Sequence, residues 1–152
     1  MSWDEVGEMP CSVARSLAIV GDRWTLLILR NVFLRVRRFA DLQTQLGIPR
    51  HVLSTRLKRL VDEDVLEKVA YQESPARYEY RLTEKGKDLY PVILSLVAWG
   101  DKWLDQGKGP PLLYRHKKCG HTFRPTLACS ECGEPITARD VAVEMGPGML
   151  AD

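Results

Sequence analysis

Two groups of residues in this chain have types and spacings suited to chemistry. The first lies near the C-terminal end, where His116-Lys117-Lys118-Cys119-Gly120 and Cys129-Ser130-Glu131-Cys132-Gly133 follow one pattern. In each, two ligand-type residues separated by two others are followed by Gly, which lets the backbone turn toward the sulfur. Four such ligands from two turns, His116, Cys119, Cys129 and Cys132, suit a tetrahedral zinc ion, and a site with four protein ligands is structural rather than catalytic. His121 competes with His116 for the fourth place. The alternative for this segment is a small β lobe held by Phe123, Leu127 and Ile136, with a Cys pair open to disulfide formation in air.

The second group is basic. Arg35, Arg37, Arg38, Arg50, Arg56, Lys58 and Arg59 fall within one short stretch in which Asp41 is the only acid. Arg50, His51, Ser54, Thr55 and Lys58 lie opposite Leu53, Leu57 and Leu60 on a helical wheel, so the leucines anchor the helix and the polar set points outward. Arg and Lys at the start of such a helix can reach guanine edges, and Ser and Thr can reach base edges or phosphates. Charge alone fits a solvated basic face equally well. Cys11 stands apart; a thiol near a helix start can sense oxidants or electrophiles if it is ionised and accessible, and otherwise serves as a small packed residue. No Ser-His-Asp set and no phosphate-cradling Gly loop is present, so an enzyme is not expected.

The elements that must position these groups follow from periodicity. Pro10 suits a first helical turn, Val13, Leu17 and Val20 share one face, and Gly21 ends that helix. Asp22 caps a second helix in which Trp24, Leu27, Ile28 and Leu29 are apolar nearly all round, as expected of a central helix. Phe39, Leu42 and Leu46, the stop at Gly47 and the restart at Pro49 make a helix-turn-helix. Val69 and Tyr71, then Tyr78, Tyr80 and Leu82, alternate around a turn containing Ser74 and Pro75, which predicts a hairpin with Arg77 near its tip, able to reach a DNA backbone. One long helix is then expected from Thr83 to about Gly107, with an apolar stripe of Leu89, Val92, Ile93, Leu96, Trp99 and Trp103.

The fold class expected is mainly α with a small β-hairpin wing, followed by a small β-rich lobe. The break at Lys108 to Pro111 places domains at 1–107 and 108–152, and Gly146 to Asp152 is expected to be poorly ordered. With 152 residues, 45% hydrophobic and 28% charged, the composition is that of an ordinary globular protein. The net charge of +2 excludes little by itself. No apolar run is long enough for a membrane helix, and Asp4, Glu5 and Glu8 stand where a signal peptide needs basic residues, so a cytoplasmic address and reduced thiols are expected.

From Cys11 to Trp103 the chain resembles the HxlR-type winged-helix transcriptional regulators, relatives of the MarR group. The resemblance rests on Cys11 followed by Gly21-Asp22-Arg23-Trp24, on Arg38-Phe39-Ala40-Asp41-Leu42, on Val52-Leu53-Ser54-Thr55-Arg56-Leu57, on Tyr78-Glu79-Tyr80-Arg81-Leu82-Thr83-Glu84-Lys85-Gly86, and on Trp99-Gly100. It implies a dimer whose first and last helices pair, with Arg50 to Arg59 as recognition helix and Glu73 to Arg77 as wing tip. Two departures are visible: Ser12 follows the early Cys where Pro is usual, and Val65 stands where Gly is usual.

Together these readings predict a dimer on a palindromic operator in double-stranded DNA, responsive to an oxidant, an electrophile or a small ligand. The contacts would come from Arg38, Arg50, His51, Ser54, Thr55, Arg56, Lys58, Arg59 and Arg77. The alternative is an interaction or RNA-binding module in which Arg115, Lys117, Lys118 and Arg124 of the tail carry the affinity.

Overall fold

A computed structural model describes residues 1–150. The chain opens with a short helix, α1 (Trp3–Gly7), where periodicity predicts no element before Pro10. Its signal is a capping box: the Ser2 hydroxyl accepts from the Glu5 amide, and the Glu5 carboxylate accepts from the Ser2 amide. α1 lies against α2 (Ser12–Val20) at small residues. A Cβ on Gly21 would stand 3.0 Å from the Trp3 ring and 2.4 Å from the Leu17 carbonyl oxygen, so only glycine fits there.

The core is built around α3 (Thr25–Phe33), whose Ile28, Leu29 and Val32 are buried. Trp24, Leu26 and Leu27 are only partly covered, so the helix is central but not enclosed on all sides. α4 (Phe39–Leu46) contributes Leu42, and α5 (Arg50–Asp62) contributes Leu53, Leu57 and Leu60, all buried. Between them Gly47 takes φ +63 and Ile48 is buried, which makes the tight turn of the helix-turn-helix.

Two helix ends close without glycine. At the end of α3 the Val36 amide donates to the Asn31 carbonyl and the Arg35 amide to that of Val32, with Arg35 at φ +68. At the end of α5 the Val65 amide donates to Leu60 and the Asp64 amide to Val61, with Asp64 at φ +57. Both are Schellman closures, in which a left-handed residue lets two amides reach back to orphan carbonyls. The exit from α5 therefore places its left-handed residue at Asp64, and Val65 is free to be apolar and buried.

The wing is an antiparallel hairpin, β1 (Leu66–Glu73) with β2 (Ala76–Leu82), turning at Ser74 and Pro75. Gln72 faces Arg77, and the register slips between Ala70 and Gln72, which leaves Tyr71 as a bulge. The Tyr80 amide donates to the Arg37 carbonyl over 2.8 Å, so the segment before α4 covers the outer edge of β2.

The single long helix expected from Thr83 to Gly107 is instead two: α6 (Glu84–Lys87) and α7 (Tyr90–Trp103). Pro91 is the cause, because it lacks the N–H that a continuous helix would bond back to Lys87. Thr83 caps α6 by accepting from the Gly86 amide at 3.1 Å, and its hydroxyl lies against the Asp64 and Val65 carbonyls. Gly86 is buried, and a Cβ there would fall 2.1 Å from the Val65 carbonyl oxygen.

Packing divides the chain into Met1–Tyr90 and a second unit beginning at Pro91, so α7 groups with the tail. In the second unit α7 shows Val92, Leu96, Trp99 and Trp103 to solvent, and the tail forms two tight turns carrying the bridges Arg115 with Thr122 and Ala128 with Pro135. A short helix, α8 (Pro147–Leu150), stands where disorder was expected; the same expectation for Ala151 and Asp152 falls outside the described residues.

Candidate nucleic-acid interface

α5 presents Arg50, His51, Ser54, Thr55 and Lys58 to solvent while its leucines are fully buried. The Thr55 hydroxyl donates to the His51 carbonyl at 2.8 Å, which commits its proton and leaves an acceptor lone pair and a methyl group facing out. Lys58 forms an exposed pair with Asp62 at 2.7 Å, a contact weak enough to be exchanged for another anion.

Arg56 and Arg59, the other two basic residues of α5, are turned inward. Arg56 Nε lies 3.0 Å from Asp22 Oδ1, at ion-pair distance but without hydrogen-bond alignment. Asp22 also accepts from the Trp24 and Thr25 amides at 2.9 and 3.1 Å and from the Thr25 hydroxyl. Burial opposes its charge, but the Thr25 and Trp24 hydrogen bonds together with the Arg56 guanidinium outweigh that and hold the carboxyl below its ordinary pKa. Arg59 donates to the Ala18 carbonyl in α2 over 2.8 Å. A wheel gives part of this away: Arg56 follows Leu53 by three and precedes Leu60 by four, which puts it on the anchored side.

Within the helix-turn-helix and wing, three cations of the described residues rest on aromatic faces, a feature that sequence reasoning missed. The Arg38 guanidinium stands 4.1 Å above the bulged Tyr71 ring, Arg50 lies 5.4 Å from Phe39, and Lys68 lies 4.6 Å from Tyr78. Arg38 therefore sits where α4 begins beside the wing, and Lys68, on β1, joins Arg77, exposed on β2, as a further cation of the hairpin, whose Arg81 pairs with Glu79. Spacing could not place Lys68, because its partner Tyr78 belongs to the other strand.

Cys11 is half-buried at the N-cap of α2, with no side-chain capping bond, and its amide donates to the Met9 carbonyl. In the tail, His116 Nδ1 and Cys119 Sγ are 3.6 Å apart. The Cys129 sulfur accepts from the Glu131 amide at 3.4 Å. Hydrogen bonds from the Cys132 and Glu131 amides and from the Cys132 thiol lower the Cys129 thiol pKa. Among the described residues no three His, Cys, Asp or Glu side chains are gathered as a metal centre. Arg115, Lys117, Lys118 and Arg124 are all exposed.

A helix-turn-helix anchored by buried leucines, with a two-stranded wing, an outward polar α5 and cations on the wing, defines a winged-helix DNA-binding protein. The chain belongs to the HxlR-like helix-turn-helix family of transcriptional regulators, whose model matches residues 19–108. It is 52% identical over 140 residues to the HTH-type transcriptional regulator Rv3095 of Mycobacterium tuberculosis, itself uncharacterized, covering 92% of this chain and 89% of that one. The crystal structure of PA1607, described as a candidate transcription factor, superimposes with a TM-score of 0.83 at 31% identity, over 93% of this chain and 99% of that one. The reduced form of the transcriptional regulator YodB of Bacillus subtilis gives a TM-score of 0.53 at 31% identity, over 65% of this chain and 99% of that one. YodB is also similar in its diamide-treated form, at a TM-score of 0.50 over 63% of this chain and 96% of that one.

Proposed function

We propose that the protein is a dimeric regulator that inserts α5 into the major groove of a palindromic operator, working in the cytoplasm as a binder rather than a catalyst. The outward set on α5 carries this reading: its first turn bears Arg50 and His51, and the first turn of a recognition helix enters the groove most deeply. Arg50 and His51 then read bases, while Ser54 and Thr55 follow along the groove, where Thr55 accepts a base amino proton or meets a thymine methyl. Lys58, Arg38, Lys68 and Arg77 serve phosphates. Arg56 and Arg59 position the helix from behind.

Dimerisation is supported by the exposed apolar stripe of α7. Val92, Leu96, Trp99 and Trp103 recur at four-three-four spacing, the seam of paired helices, and Val13 and Leu17 are exposed on α2. Two copies related by a twofold axis would hold their recognition helices about one DNA turn, roughly 34 Å, apart. Cys11 is the thiol through which an oxidant would act, a reading supported by its half-buried position at a helix start and by the similarity to YodB, which has been solved both reduced and after diamide treatment.

Selection of bound genomic fragments, followed by titration at several salt concentrations, tests the proposal. Arg50→Ala or His51→Ala should cost roughly 1–3 kcal/mol and relax one base position. Arg77→Ala should weaken all sequences alike and lower the salt slope by about one unit. Diamide should reduce binding by wild type and leave Cys11→Ser unaffected. Equal binding by Arg50→Ala, His51→Ala and wild type would remove α5 as the reading helix.

A further inference from the structure

The two tail motifs fold into the same turn, hydrogen bond for hydrogen bond. In the first, the His116 amide donates to the His121 carbonyl at 2.9 Å and the Gly120 amide to His116 at 2.8 Å. In the second, the Cys129 amide donates to the Glu134 carbonyl at 2.8 Å and the Gly133 amide to Cys129 at 2.9 Å. The flanks agree as well: Phe123 donates to Tyr114 at 3.0 Å, and Ile136 donates to Leu127 at 2.8 Å. The bridges Arg115 with Thr122 and Ala128 with Pro135 occupy equivalent places, and Gly120 and Gly133 share φ +77.

This correspondence makes His116 the equivalent of Cys129 and Cys119 the equivalent of Cys132, whereas His121 takes the place of Glu134. Both turns are knuckles that present a pair of ligand-type side chains. The His116 to Cys119 separation of 3.6 Å is also what zinc requires. Bonds of about 2.3 Å to sulfur and 2.0–2.1 Å to nitrogen at the tetrahedral angle place the two ligands about 3.6 Å apart. In the second knuckle the Glu131 amide already points at the Cys129 sulfur, the kind of donor a bound thiolate keeps.

A second observation calls for closure. Among the described residues from Leu94 onward none is fully buried, and Leu112, Leu113 and Leu127 are 49%, 73% and 70% exposed. A segment with so little apolar burial holds regular turns only with help from a staple, and a structural metal is the staple that two such knuckles can bind. The nine residues Gly120 to Ala128 that separate Cys119 from Cys129 leave ample chain for the two pairs to meet.

We infer that His116, Cys119, Cys129 and Cys132 together bind one structural zinc ion per chain, which draws the two knuckles into a closed lobe. Three thiolates and an imidazole select zinc, and His121 takes no part.

The full chain, purified reduced and without added metal, should carry about one zinc by elemental analysis. After chelation it should bind cobalt(II) with tetrahedral ligand-field bands and thiolate charge transfer. Cys129→Ser and His116→Ala should weaken cobalt binding at least about 10-fold, whereas His121→Ala should match wild type. His116→Cys should retain the metal, which separates loss of a ligand from loss of the fold. Fewer than about one zinc per ten chains with no cobalt–thiolate spectrum would overturn the assignment. So would bound iron, or His121→Ala losing metal as His116→Ala does.

Discussion

Asp22 does two things at once, and they can be separated by substitution. Its carboxylate caps the start of α3 and faces Arg56 on α5, so it joins the central helix to the reading helix. Asp22→Ala removes both contacts and should cost about 1–2 kcal/mol in urea unfolding at neutral pH. Asp22→Asn can still cap but cannot pair with the guanidinium. Because the folded state lowers the Asp22 pKa, its charge contributes stability above the unfolded value of about 3.9 and loses that contribution as the pH falls through the folded value. The difference between wild type and Asp22→Asn should therefore be constant near neutrality and shrink below about pH 4. A gap that persists unchanged in acid would mean that the ion pair contributes nothing. DNA contacts are not touched directly by either variant, so a loss of affinity would report displacement of α5.

At the scale of elements, the Schellman closures of α3 and α5 put ordinary residues in the left-handed region at Arg35 and Asp64. Arg35→Gly should relieve that strain and raise stability by about 1 kcal/mol, read as a higher melting temperature. Gly86→Ala should do the opposite and cost about 1–3 kcal/mol, because its new methyl meets the Val65 carbonyl. The helix-turn-helix and the hairpin were legible from periodicity, since Leu53, Leu57 and Leu60 repeat every three or four residues and the wing strands alternate around Ser74-Pro75. The left-handed helix ends were not, because the usual marker is Gly and here Arg and Asp take its place. The break before α7 was readable in Pro91, but the apolar stripe running past it outweighed that signal. The inward turn of Arg59 had no local trace at all, for its acceptor Ala18 lies 41 residues away. Spacing named the tail pairs, while the choice between His116 and His121 needed the hydrogen bonds of both turns.

At the scale of the molecule, the stripe on α7 makes the oligomeric state a direct test. Trp99 and Trp103 are 59% and 65% exposed, an unusual cost for a single copy to bear in water. Light scattering at micromolar concentration should give a dimer. Trp99→Glu should shift it toward monomer and weaken operator binding while leaving helical content intact, and a dimer unaffected by that change would move the interface elsewhere.

The cations held over Tyr71, Phe39 and Tyr78 carry a thermodynamic consequence for the assembled complex. Immobilising a long side chain at an interface ordinarily costs about 0.5–1.5 kcal/mol in rotamer freedom. Arg38, Arg50 and Lys68 have given up part of that freedom on folding, so in the proposed complex less would remain to be lost on meeting a nucleic acid. Association through these three groups would accordingly be less opposed by entropy than the same charges on free stems would make it.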